Sequence, residues 1–271
     1  MSQEQQRERE REEDGLSPRV DISIPSAARI YDYLLGGKDN YPADRASART
    51  LLSLLPDVRL AARANRRFLQ RSVRMLAESG IDQFIDLGTG IPAAPNVHEI
   101  VHEFHPDAPV VYVDHDPIVT AHNRAMKLTS DRVAVIQADV RRPSDIICHP
   151  DTGRLIDFSR PVAVLAVAVL HFVPEDDDPA GIVAAFREVM APGSHMVISA
   201  ASSESFSPDE CAAIARAYRN ATEDLSLQPR SAIERYFEGM ELLGPGLVDV
   251  YDWQRDEPVM RSKLLVGIGR R

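Results

Sequence analysis

Two hydrophobic periods alternate along this chain. Short continuous apolar runs predict strands buried on both faces of a parallel sheet. They lie at residues 84–87, 110–113, 132–139, 161–170 and 195–200. Between them apolar residues recur at helical spacing. The longest such stretch is 57–79, where Leu60, Ala64, Phe68, Val73 and Leu76 form one stripe. Further helices are predicted at 97–104, 116–126, 182–190, 208–224 and 231–238. Two last strands, at 247–252 and 262–269, follow each other with no helix between. The pattern predicts an α/β domain over 81–271, a helical extension over 21–80 and a tail over 1–20. The tail opens MSQEQQREREREED, which offers nothing to bury and is expected to be disordered.

The first run ends in an acid and a glycine turn, QFIDLGTG over residues 83–90. Gly88 and Gly90 let the backbone turn sharply and approach a ligand with no Cβ in the way. The second run, VVYVDHD over 110–116, again stops at an acid, Asp114. Strand, glycine turn, helix and carboxylate-tipped strand make half of a nucleoside site, since one carboxylate accepts bonds from both vicinal ribose hydroxyls. Asp116-Pro117 is a helix start, so Asp116 is expected at the cap, leaving Asp114 free for ligand. Asp139, ending the third run, has two readings: an acceptor for an adenine amino group, or the cap of the helix that Pro143 and Ser144 begin. The run from 161 is the most apolar and is expected at the sheet centre, with His171 and Phe172 at its exit. His171 reads as a general base suited to neutral pH or as a packing histidine.

Residues 24–45 read IPSAARIYDYLLGGKDNYPADR. Ser26 is expected to cap a helix that Gly36-Gly37 stops. Lys38, Asp39, Asn40 and Tyr41 then form a short loop before a second helix. This segment is either a connector with a surface loop, or a lid whose Tyr31, Tyr33 and Tyr41 offer aromatic faces to a cationic ligand. The arginines of the 57–79 helix read as a solvated basic face.

Charge and composition narrow the function. A formal net charge of -10 over 271 residues argues against a general polyanion-binding surface, so a nucleic-acid substrate is not expected. No apolar run is long enough to span a bilayer and no signal-peptide core opens the chain, so a cytoplasmic protein is expected. Cys148 and Cys211 match no metal or redox spacing and are expected as buried free thiols. His98, His102 and His105 lack the accompanying carboxylates of a metal motif, and no metal is expected.

DLGTG after an apolar run, an acid ending the next strand and Ala-Asp ending the third resemble the class I S-adenosylmethionine-dependent methyltransferases. Their fold is a Rossmann-like sheet of seven strands, mostly parallel, with an antiparallel last strand. SAARIYDYLLGGKDNYPADR, FIDLGTGIPAAPNVHE, VVYVDHDPIV, QADVRRP and AVLHFVPEDDDP further resemble the actinobacterial S-adenosyl methyltransferase family once catalogued as a domain of unknown function. The resemblance implies S-adenosylmethionine as cofactor, with Asp86, Gly88 and Gly90 bordering its methionine part. It implies Asp114, with His115 beside it, on the ribose, and Ala138, Asp139 and Val140 around adenine. Leu170, His171 and Phe172 would lie near the methyl group, and the lid set Tyr31, Tyr33, Lys38, Asn40 and Tyr41 over the acceptor. It names no acceptor. The tetrad Asn/Asp-Pro-Pro-aromatic of many nucleic-acid amino methyltransferases is absent, AVLHFVPE standing in its place, which favours a small-molecule acceptor. Two alternatives stay open. One is a non-catalytic sensor of the same cofactor. The other is an NAD-linked oxidoreductase, for which Gly88-x-Gly90-x-x-Ala93 is a loose match with Pro92 inside the turn.

Overall fold

A computed structural model of the chain describes residues 21–126, 130–253 and 263–271. The expected tail at 1–20 lies outside the described residues, as do the link 254–262 and the first residue of the expected last strand. Apolar runs become strands: β1 (Phe84–Leu87), β2 (Val110–Asp114), β3 (Val133–Gln137), β4 (Ala163–Val167) and β5 (His195–Ala201). These five are parallel, in the order β3-β2-β1-β4-β5. β4 stands at the centre, as its composition predicts. The long β8 (Leu264–Arg270) runs antiparallel to β5. Two-residue strands β6 (Glu241–Leu242) and β7 (Val248–Asp249) pair with opposite ends of β8, so a broken edge takes the place of a single strand. β6 was not expected; two exposed residues carry no period-two signal.

The helices are α1 (Ala27–Leu35), α2 (Pro42–Leu54), α3 (Val58–Glu78), α4 (Val97–His102), α5 (Pro117–Met126), α6 (Pro143–Ile147), α7 (Pro150–Leu155), α8 (Pro179–Val189), α9 (Pro208–Arg216) and α10 (Arg230–Arg235). α3 and α4 cover one sheet face through Phe68, Leu76, Val97 and Ile100. Ile146, Ile182, Phe186 and Ile233, of α6, α8 and α10, cover the other. Strand order reverses between β1 and β4, where an open α/β sheet presents its crevice. A third apolar cluster joins α1, α2 and α9 above that crevice through Ile30, Leu34, Leu51, Leu55 and Ile214.

One buried carboxylate organises the helical extension. Asp44 is fully buried. It accepts bonds from the backbone N–H of Ser26 (2.9 Å) and Tyr41 (2.7 Å) and from Arg29 Nε at 3.0 and 3.1 Å. Arg29, also buried, donates through Nη2 to the Ile24 carbonyl. One side chain thereby fixes the starts of both α1 and α2. Ser26 stands at the N-cap of α1 as expected, yet its side chain does not cap; it reaches another element. Gly36, at φ +93°, ends α1. Cys148 is exposed and Cys211 half-buried. Both thiols are free as expected, but neither is buried, because Cys148 ends a short surface helix instead of pointing into the core.

Removing one member of a buried ion pair leaves the other charge uncompensated. Asp44→Ala is expected to lower stability by about 3–5 kcal/mol. Urea denaturation of the purified variant measures it, and a loss within experimental error would show that the extension does not depend on this contact.

Candidate functional site

β1 delivers Asp86, and the turn that follows needs glycine twice. Gly88 has φ +62°, and a Cβ there would sit 2.5 Å from the Val169 side chain. The absent side chain thus lets the β4 exit pack against the turn. Gly90 has φ +67°, and a Cβ there would enter open space. That space is a cavity at the carboxyl ends of the strands.

The tip of β2 is tied to this turn. Asp114 Oδ2 accepts from Gly90 N–H at 3.0 Å, and Oδ1 accepts from Asp116 N–H at 3.0 Å. Asp114 is therefore not wholly free, as the sequence suggested; each oxygen keeps a second lone pair for a ligand. Asp116 caps α5 through Ile118 N–H at 2.8 Å, and its other oxygen accepts from Ser26 Oγ at 2.8 Å. His115 Nε2 meets Glu223 Oε1 at 2.7 Å, and Glu223 Oε2 accepts from Ala27 N–H at 3.0 Å. Start of α1, tip of β2 and the segment after α9 are thus latched together at the cavity.

The walls differ in character. Asp86, Gly88, Thr89, Gly90, Asp114, His115, Asp116, Ser26 and Arg66 line a polar end. Side chains of α1, α2, α3 and α9, with Phe172, Phe206, Leu225 and Leu227, line an apolar end. Ala168 at φ +59° turns the exit of β4 into the cavity between them.

Burial sets the electrostatics. It pushes the Asp86 carboxyl up to about 7, against the opposing effects of the Thr89 hydrogen bond and the Arg66 charge. It pushes Asp114 up to about 6, against its two backbone donors. The bond to Glu223 holds the His115 imidazolium, up to about 9. His171 is buried, which takes it down to about 4. Its Nδ1 accepts from Ala201 N–H at 3.1 Å. A backbone N–H only donates, so the neutral ring carries its proton on Nε2. The lone pair that a general base needs is already occupied, and this geometry does not suit His171 to that role.

Of the residues predicted for the cofactor, Asp86, Gly88, Gly90, Asp114, His115 and His171 line the cavity. Leu170 is fully buried in the core. Ala138, Asp139 and Val140 are not among the lining residues. Asp139 is engaged by Arg141, whose Nε lies 3.0 and 2.9 Å from its two oxygens. Of the lid set, Tyr31 and Phe172 line the cavity. Tyr33 lies under the Arg59 guanidinium at 4.7 Å, Tyr41 under Arg29 at 5.4 Å, and Lys38 is exposed. Asn40 donates to Asp32 Oδ2 (2.7 Å) and the Gly37 carbonyl (3.1 Å), which folds the 37–41 loop onto α1 and away from the cavity. From α1 itself, Ala27, Ala28, Tyr31, Leu34 and Leu35 line the cavity. Arg66, Asn65, Tyr218 and Glu223 were not predicted; nothing local to them marks a site. His98, His102 and His105 each bond a tyrosine hydroxyl or a carbonyl.

The strand order and the crevice at its reversal define a class I methyltransferase fold. An N-methyltransferase, NodS from Bradyrhizobium japonicum in complex with S-adenosyl-L-homocysteine, shares it at 12% identity and TM-score 0.50, over 90% of this chain and 98% of that one. The chain belongs to the S-adenosyl methyltransferase family, whose model matches residues 13–269. A candidate methyltransferase from Thermobifida fusca is 42% identical, with TM-score 0.85, over 94% of this chain and 97% of that one. A DUF574 family protein from Streptomyces avermitilis is 37% identical, with TM-score 0.88, over 93% and 100%. No curated protein matches the sequence. The protein is thus an S-adenosylmethionine-dependent methyltransferase. The residues present fit that cofactor: open space beside Gly90, buried acids for a cationic ligand, and the Arg66 guanidinium, whose charge acts on Asp86 while its Nη2 donates to the Ala93 and Pro95 carbonyls. Among the described residues no helix is long and apolar enough to cross a membrane.

Asp86 gives the cofactor-free protein a pH signature. Folded, it keeps its proton up to about 7; unfolded, it loses it near 4. The native state binds more protons in that window, so this group makes stability fall as pH rises from about 4 to about 7. Asp86→Asn is expected to flatten that slope and raise the melting temperature of the cofactor-free protein at pH 7.5. Melting scans across pH check this, and an unchanged slope would place the buried titration elsewhere.

Proposed function

We propose that this methyltransferase acts on a small molecule, with cofactor and acceptor held at opposite ends of one cavity. The observation that carries this reading is that polar residues at the tips of β1 and β2 and an apolar cluster of α1, α2 and α9 line the same cavity.

Asp114 takes the ribose hydroxyls on its remaining lone pairs. Asp86 and Arg66 face the amino-acid tail with opposite charges, the acid for its ammonium and the guanidinium for its carboxylate. His115 and Glu223 close the ribose side as an ion pair. Bound S-adenosylmethionine supplies an electrophilic methyl group on a sulfonium, a leaving group that needs no activation. The chain's own contribution is position and exclusion of water. His171 holds the exit of β4 through Ala201 and presents Nε2–H as a donor.

The test of function is consumption of the methyl donor in the presence of fractionated cell extracts. Turnover with the small-molecule fraction is expected; turnover with only the protein or nucleic-acid fraction would overturn the proposal. Two variants test the cofactor roles by calorimetry. Asp114→Ala is expected to weaken S-adenosylhomocysteine binding by about 1.5–3 kcal/mol, the range for charge-assisted bonds. Arg66→Met is expected to lose a similar amount for S-adenosylhomocysteine and little for the decarboxylated analogue. Equal losses for both ligands would remove Arg66 from the carboxylate.

A further inference from the structure

The apolar end carries chemical information about its occupant. Its walls include Leu34 of α1, Leu51 of α2 and Ile214 of α9, together with Phe172, Phe206 and Leu225. The cavity's charged residues gather at the polar end, with two exceptions: Lys263, and Glu223, whose charge acts on Tyr218 and which is paired with His115. Lys263 is already neutralised, its Nζ lying 2.8 Å from Asp249 Oδ2. A charged acceptor would therefore lose its hydration here and find no free counter-charge among the described residues.

One polar group at this end stands out. Tyr218 lines the cavity and is only 6% exposed. The other tyrosine here is committed: Tyr31 OH donates to the Ala62 carbonyl at 2.9 Å and accepts from Asn65 Nδ2 at 3.0 Å. No hydrogen bond joins the Tyr218 hydroxyl to a described residue, and its oxygen opens onto the cavity and is not sealed in the core. A hydroxyl open to a cavity is met by water or by a ligand group that takes the water's place. Burial pushes this phenol well above its ordinary pKa, so it stays a neutral hydroxyl, able to donate or accept. Its ring also connects the two ends. It lies 5.4 Å from the Phe172 ring, which lies 4.5 Å from the His171 ring at the β4 exit.

We propose that the acceptor is a neutral, largely apolar small molecule of aromatic type, whose single nucleophilic hydroxyl is held by hydrogen bonding to Tyr218. This rests on the two-ended reading of the cavity given above. In the transfer, a lone pair on the acceptor oxygen forms the new O–CH₃ bond as the S–CH₃ bonding pair returns to sulfur. The hydroxyl proton leaves to solvent water. Tyr218 acts as a positioning residue for the oxygen, and the apolar walls hold the ring system.

The probe is 2-naphthol, which is neutral, aromatic and carries one hydroxyl. It is titrated into the full chain saturated with S-adenosylhomocysteine, with 2-naphthoate as the charged counterpart. 2-Naphthol is expected to bind alongside S-adenosylhomocysteine and at least tenfold more tightly than 2-naphthoate. Tyr218→Phe is expected to weaken 2-naphthol about three- to tenfold, the effect of one hydrogen bond. Ile214→Trp, which fills the chamber, is expected to abolish it. Neither variant should change the affinity for S-adenosylhomocysteine, which also reports that each is folded. The proposal is overturned if 2-naphthoate binds as well as 2-naphthol, if Tyr218→Phe leaves the probe unaffected, or if 2-naphthol competes with S-adenosylhomocysteine. Competition would sink the acceptor pocket alone, whereas failure of wild-type chain to bind S-adenosylhomocysteine would sink the cofactor reading with it.

Discussion

The site rests on a buried carboxylate at the tip of β2 that accepts two backbone N–H groups. Asp114 bonds Gly90 across the cavity floor and Asp116 along its own strand. A carboxylate taken out of water must be hydrogen-bonded or its burial becomes costly. The β1 turn and the β2 tip therefore hold one position together. The restraint then passes outward: Asp116 holds Ser26, and Asp44 holds both Ser26 and Arg29. In this way the helical extension is fixed over the sheet's crevice by a chain of charge-assisted bonds that begins at the cavity floor.

The polar end is built against its own stability. Asp86 and Asp114 are both pushed upward by burial, and each also feels a like charge nearby, Asp86 that of Asp114 and Asp114 that of Asp116. Such strain is found where a site awaits a charge of opposite sign. S-adenosylmethionine carries positive charge on its sulfonium and its ammonium, and either relieves it. The apolar end is a different environment that asks nothing of that kind, and its occupant is selected by shape and by one hydroxyl.

Local rules made much of this legible in the sequence. Continuous apolar runs gave the parallel strands, two glycines gave the turn, and Asp116-Pro117 gave a helix cap that the structure has. What stayed hidden depends on contacts between distant segments. The arginine-rich helix reads as a solvated face by periodicity, yet Arg66 points to the site, because only the packing of α3 on the sheet decides which face meets the cavity. The 37–41 loop, rich in polar and aromatic residues, has the composition of a lid, but Asn40 bonds back to Asp32 and Gly37 and carries it away. β3 stops at Gln137, two residues short of the expected Asp139, and Arg141, two residues further on, occupies the Asp139 carboxylate. Tyr218 and Glu223 carry no local signal, since only the tertiary packing of their segment brings them to the cavity.

A crystal structure of the full chain with S-adenosylhomocysteine and 2-naphthol tests the two-ended site most directly. Both ribose hydroxyls should lie on Asp114, the amino-acid tail between Asp86 and Arg66, and the naphthol ring beyond Phe172 with its oxygen on Tyr218. Adenine or the amino-acid tail filling the apolar end between α1 and α9, with Asp114 bound to no sugar, would contradict it.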